Sequence, residues 1–134
     1  MCYMMFGVTE NEIDDRIVKN YRDHFSIYID NISPYIKNRS GANMFYSINR
    51  QCACDFLQND ERKNNRSEMM ALLKNLFDTG KGIFVIIEDK GQYGNLIENL
   101  QQVLNGLPEQ QINLDLLLEN YPSRLEADTA YRLV

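Results

Sequence analysis

A run of five apolar residues, Ile83-Phe84-Val85-Ile86-Ile87, constrains the fold of this chain more than any other feature. Strands with one solvent-exposed face alternate apolar and polar residues, whereas this run has no polar member, so both of its faces must be buried. We therefore expect a strand in the middle of a sheet.

Three other stretches repeat apolar residues at helical spacing. They predict helices at residues 9–24, 67–80 and 95–107. The first stretch opens with Thr9 and Glu12, which have the spacing of a capping box, so we expect the helix to begin there.

Short segments of strand character lie between and after these helices. They predict strands at residues 1–8, 25–30 and 44–50, a short strand with a turn of helix within 110–121, and a closing strand at 129–134. This order lacks the regular strand–helix alternation of a doubly wound sheet. We expect one α+β domain spanning residues 1–134, with a mostly antiparallel sheet and about three helices.

The net charge of the chain and its amino-terminal segment argue against two classes of partner, nucleic acids and membranes. The chain has 14 basic and 19 acidic residues, a net charge of −5, which argues against a nucleic-acid surface because phosphates require clustered Lys and Arg. Residues 1–8 are too short to cross a membrane, and no basic residue precedes Arg16. We expect an acidic, soluble, cytoplasmic protein with no nucleic-acid or membrane partner.

The hexapeptide QCACDF, residues 51–56, contains two of the three cysteines. In a regular strand Cys52 and Cys54 would be about 6.6–6.8 Å apart at Cα, so a disulfide between them would be strained. If the backbone bends there, two thiolates can bind one soft metal ion, and zinc would need two further ligands. Cys2 and His24 are the remaining soft candidates, so the predicted metal site is Cys2, Cys52, Cys54 and His24, with zinc or another soft metal as the candidate cofactor. The alternative role of the same thiolates is to sense oxidants.

A purely structural interpretation of the same residues stays open. Cysteine is among the most buried residue types and can fill strands as a small hydrophobe. A histidine near the end of a helix commonly interacts with the helix dipole. In that interpretation the cysteines belong to the core and His24 stabilises the first helix.

Residues 1–6 (MCYMMF) and residues 52–56 (CACDF) resemble motifs of a family of small uncharacterised bacterial proteins. Members begin with an MC-x-M-aromatic strand and have a Gly-Cys-Gly-Cys-x-Phe segment after an aromatic-rich strand. The present chain has Gln51 and Ala53 where the family has glycines. The resemblance implies a shared fold and a three-cysteine arrangement, and it implies no reaction.

Two further functions remain open: a non-catalytic module that binds a protein, and a cysteine-nucleophile hydrolase, although neither the residues nor their spacing favours catalysis. An acidic surface with exposed tyrosines, Tyr28, Tyr35 and Tyr93, would suit a protein partner or a second copy of the chain. Alternatively, removal of Met1 would expose Cys2 as an amino-terminal nucleophile, as in class II amidotransferases. In that family a glycine normally follows the cysteine, where this chain has Tyr3.

Overall fold

The described chain forms one sheet with helices on both faces. The computed structural model describes residues 2–39, 41–50 and 66–134, with Cys2 described through its backbone. Its elements are β1 (Cys2–Thr9), α1 (Asp15–Phe25), β2 (Tyr28–Asn31), a single 3-10 turn (Ser33–Tyr35), β3 (Met44–Asn49), α2 (Arg66–Leu76), β4 (Gly82–Asp89), α3 (Leu100–Gly106), β5 (Glu109–Ile112), α4 (Leu114–Asn120) and β6 (Ala130–Leu133).

The six strands of the described chain lie in the order β2-β3-β1-β4-β6-β5. Every pairing is antiparallel except β5 with β6, which are parallel and joined through α4. The predicted α+β fold with a mostly antiparallel sheet is confirmed, and β4 has a neighbour on each side, as the apolar run predicted. The described residues form four α-helices rather than about three, because the predicted turn of helix in the tail is the two-turn helix α4.

The two faces of the sheet are covered unequally. On one face, which we call the three-helix face, α1, α2 and α4 pack against the sheet through residues including Tyr21, Leu72 and Leu117. The opposite face, which we call the one-helix face, is covered by α3, by the segment before it and by the residues flanking the 3-10 turn. Met5 and Phe6 of β1 point to opposite faces and are both fully buried, so β1 is a core strand as well.

The first helix begins later than the capping-box spacing predicts. Thr9 is the last residue of β1, paired with Met44, and its hydroxyl donates to the carbonyl of Asn11 over 2.7 Å. The N-cap of α1 is Asp14, whose carboxylate accepts from the N–H of Arg16 over 2.9 Å. Strand pairing with β3 keeps Thr9 extended, so a local helix signal is overridden by tertiary structure.

Gly82 begins β4 in a conformation that requires glycine. Its φ is +136°, and a Cβ placed there would lie 2.5 Å from the carbonyl oxygen of Val8 and 2.7 Å from the ring of Phe77. The first of these contacts is with backbone of the paired strand β1, which cannot move aside without disturbing the centre of the sheet. Gly80, two residues earlier, has φ +76° but nothing within 4 Å of such a Cβ.

We expect Gly82→Ala to lower the free energy of unfolding by more than about 3 kcal/mol, because backbone strain and a clash with backbone add together. The matched control Gly80→Ala has the strain of a positive φ without the clash and should lose about 1 kcal/mol. Urea unfolding of both variants measures the difference. Equal losses would contradict the close approach of β1 and β4 at Gly82.

Tyr21, Tyr46 and Tyr121 are among the tyrosines buried in the core of the three-helix face. Burial raises the pKa of each phenol above its ordinary value of 10, since the charged phenolate would lose its hydration. The Tyr46 hydroxyl also accepts a hydrogen bond from the N–H of Ile13 over 2.8 Å, which opposes part of that rise. Each phenol therefore stays protonated in the folded state at a pH where it would ionise in the unfolded chain.

We expect the free energy of unfolding to fall as pH rises above about 10, by up to about 1.4 kcal/mol per pH unit for each of Tyr21, Tyr46 and Tyr121. The sign follows from a raised folded-state pKa: the stabilisation is complete below the unfolded pKa and is lost as pH rises through the folded one. Denaturant unfolding from pH 8 to pH 11 measures the slope. Tyr46→Phe should make the slope shallower, and an unchanged slope would contradict the buried phenol.

Candidate functional site

The strands bring the termini of several elements to one end of the sheet. Cys2, the first residue of β1, pairs with Asp89, the last residue of β4. Tyr28, the first residue of β2, pairs with Asn49, the last residue of β3. Since β1 and β3 are antiparallel neighbours, all four residues lie at the same end, which we call the cysteine end of the sheet.

Of the four predicted metal ligands, Cys2 is described through its backbone only. It lies in β1 opposite Asp89, which is half-buried and whose carboxylate accepts from the N–H of Gly91 over 2.9 Å. Cys52 and Cys54 lie outside the described residues. Of the predicted ligands, Cys2 therefore lies at the cysteine end of the sheet.

His24 belongs to the last turn of α1 and is exposed. Its ring meets that of Phe25 edge-on, with the centroids 6.4 Å apart. The chain turns at Ser26, which has a left-handed conformation, and β2 begins at Tyr28. His24 thus lies four residues from the cysteine end, with its imidazole accessible to a ligand and near the carboxyl end of the helix dipole.

Within residues 2–39, 41–50 and 66–134, no three His, Cys, Asp or Glu side chains are grouped closely enough to hold a metal ion. Two members of the predicted site, Cys52 and Cys54, are outside those ranges. The prediction of a metal site at Cys2, Cys52, Cys54 and His24 stays a prediction.

The tyrosines predicted to meet a partner differ in exposure. Tyr35, on the 3-10 turn, is 66% exposed, and Tyr28 is 41% exposed. Tyr93 is partly buried and packs against the core of the one-helix face. Two of the three side chains are therefore available to a partner, and the third contributes to packing.

A cavity of about 530 Å³ lies on the one-helix face beside α3. Its apolar wall comes from four strands and from the helix and its end: Val8, Phe45, Ile83, Leu104, Leu107 and Ala130. Its polar members are three amides and a charge pair: Asn43, Gln101, Asn105, Glu109 and Arg132. The cavity is present because α3 has seven residues and covers only part of this face.

Sequence reasoning missed this cavity, although one signal for it exists. In β6, Tyr131 and Leu133 are buried on the three-helix face, and Ala130 is buried on the other. Arg132 therefore occupies a position on the one-helix face where the strand pattern would call for an apolar residue. A charged residue there indicates a part of the sheet face that is open to solvent.

No helix in the described part of the chain combines the length and the apolar character needed to cross a membrane. Comparisons with protein-family models, with curated proteins and with solved structures found no match to this chain. Function is therefore inferred from the residues and their geometry.

Proposed function

We propose that this chain is a thiolate protein that binds a soft metal ion, with zinc as the candidate, through Cys2, Cys52, Cys54 and His24. The observation that carries the proposal is the antiparallel pairing of β1 with β3, in which Met5 lies opposite Ile48. The carboxyl end of β3 and the amino end of β1 are therefore neighbours.

Cys52 follows the end of β3 closely in the sequence. β3 ends at Asn49, three residues before Cys52. Cys2 is three residues from Met5, on the strand beside β3. His24 is connected to the same end through Tyr28, which pairs with Asn49. The residues that precede Cys52 and follow His24 in the sequence, Asn49 and Tyr28, therefore lie at the same end as Cys2, which supports a shared site.

The chemistry of the four side chains suits a borderline-soft divalent cation. Three thiolates and one imidazole form the Cys₃His set that tetrahedral structural zinc sites use. A metal bound there would join the first strand, the end of α1 and the segment after β3, and so would stabilise the folded state. The thiols must be reduced to act as ligands, so the proposal sets the protein in a reducing cytoplasm.

Elemental mass spectrometry of protein purified without chelator is the test. We expect about one zinc per chain, and Cys2→Ser, Cys52→Ser, Cys54→Ser and His24→Gln should each weaken zinc binding by at least about tenfold, because each removes a direct ligand. Thiols should react slowly in the native protein and rapidly once a chelator is added.

Asp89→Asn is the matched control, since it changes a side chain at the cysteine end that is not a proposed ligand; it should retain zinc. Metal-free protein whose thiols react only after denaturation would contradict the proposal and assign the cysteines to the core. If the His24→Gln variant retains zinc and the cysteine variants do not, then His24 is not a zinc ligand.

A second candidate function, self-association or binding of a protein partner, is favoured by the exposure of Tyr28 and Tyr35. Tyr35 follows the exposed Pro34 on a turn that projects from the one-helix face, and tyrosine is enriched at protein interfaces. A phenol exposed to this degree contributes little to the core, so its substitution separates binding from folding.

Sedimentation velocity over a range of protein concentrations tests self-association. We expect Tyr35→Ser to weaken association by about tenfold, because aromatic side chains commonly dominate interface energetics. Leu116→Ser is the matched control, since Leu116 is an exposed apolar residue of similar size on α4. A monomer at every concentration up to about 1 mM would exclude self-association of biological strength.

A further inference from the structure

We propose that the cavity beside α3 binds a free α-amino acid with an apolar side chain. Val8 and Ile83, in its wall, lie toward the end of the sheet opposite the cysteine end, so this site is independent of the proposed thiolate site. The proposal rests on three features of the cavity: an apolar wall, a neutral pair of opposite charges, and amide groups.

The apolar wall would hold the ligand's side chain. Ile83 on β4 and Leu107 after α3 are half-buried, so they present apolar surface inside the cavity, while Val8 and Phe45 form its buried floor. The volume, about 530 Å³, lies within the range of ligand pockets, roughly 300–1,000 Å³. An aliphatic or aromatic side chain placed on this wall would leave water, which is favourable.

The pair of opposite charges would recognise the ligand's two charged groups. Glu109 of β5 accepts a hydrogen bond from Nε of Arg132 in the parallel strand β6, and both side chains are about half-exposed. A guanidinium has five N–H donors, and a carboxylate has several lone pairs, so each partner keeps capacity for a second bond. The carboxylate of a ligand can bind Arg132 while its ammonium binds Glu109.

The closeness of these two charges selects the class of ligand. Because Glu109 and Arg132 contact each other, the ligand's ammonium and carboxylate must also be adjacent, as they are when both are attached to one carbon atom. A ligand with a single charge would gain little, because the Glu109–Arg132 pair has no net charge to attract it. A wholly apolar ligand would cover the pair and remove its hydration without replacing it, which is costly.

Amide groups complete the polar part of the cavity. Within the described chain the side chain of Asn43 has no hydrogen-bond partner, and Asn105 accepts one hydrogen bond, from Gln101 over 3.1 Å. The amide NH₂ groups of Asn43 and Asn105 are thus donors available to a carboxylate.

Titration calorimetry with three matched probes tests the proposal. The probes are L-leucine, N-acetyl-L-leucine, which lacks the ammonium, and L-leucinamide, which lacks the carboxylate. We expect L-leucine to bind with a dissociation constant of about 1 mM or below, and each derivative to bind about tenfold more weakly. L-Phenylalanine with its acetyl and amide derivatives repeats the comparison with an aromatic side chain.

Two variants test which charged side chain binds which charged group of the ligand. Arg132→Met should abolish the preference for a free carboxylate, so that L-leucine and L-leucinamide bind alike, and Glu109→Gln should abolish the preference for a free ammonium. Lys19→Met is the control, because it breaks a more exposed ion pair away from the cavity, with Asp15 at 3.0 Å on α1, and should leave all affinities unchanged.

Three outcomes would overturn the proposal. The first is no binding of either amino acid at about 10 mM. The second is equal affinity for the amino acid and both derivatives, which would indicate an apolar hollow without charge recognition. The third is an unchanged order of affinities in both variants while their NMR spectra show a native fold.

Discussion

The pairing of β1 with β4 is the interaction on which the rest of the structure depends. Seven residue pairs join the two strands, from Cys2–Asp89 to Val8–Ile83, and apolar side chains leave both strands on both faces. Each strand also has a second edge, on which β3 and β6 are hydrogen-bonded. Cys2 and the cavity beside α3 lie toward opposite ends of this central pair.

The unequal cover of the two faces of the sheet explains where the cavity beside α3 lies. Three helices bury the three-helix face, and the large tyrosines Tyr21, Tyr46 and Tyr121 fill the space beneath them. The other face has one helix of seven residues together with irregular segments, tied to each other by the hydrogen bond from Lys37 N–H to the carbonyl of Glu98. Both faces of this sheet are apolar and have to be covered, and the short helix leaves a part of one face accessible to a small molecule.

Local patterns in the sequence were sufficient for most elements but not for the sites. The apolar run at residues 83–87 identified the central strand because burial on both faces leaves a distinctive composition. The start of α1 was misplaced, since pairing of Thr9 with Met44 is a contact between distant residues. The sequence also does not show that β1 lies beside β3, because this depends on strand order. The contact between Glu109 and Arg132 depends on the parallel pairing of β5 with β6, which no local pattern of residues predicts.

The same central pair has a consequence for biosynthesis. The residues that pair between β1 and β4 are about 80 positions apart along the chain. At roughly 5–20 residues per second, β1 is synthesised some 4–16 s before β4. During that interval an apolar strand has one edge without its final partner, and such an edge can pair with other chains. Protection of the nascent chain by a chaperone during that interval would therefore raise the yield of folded protein.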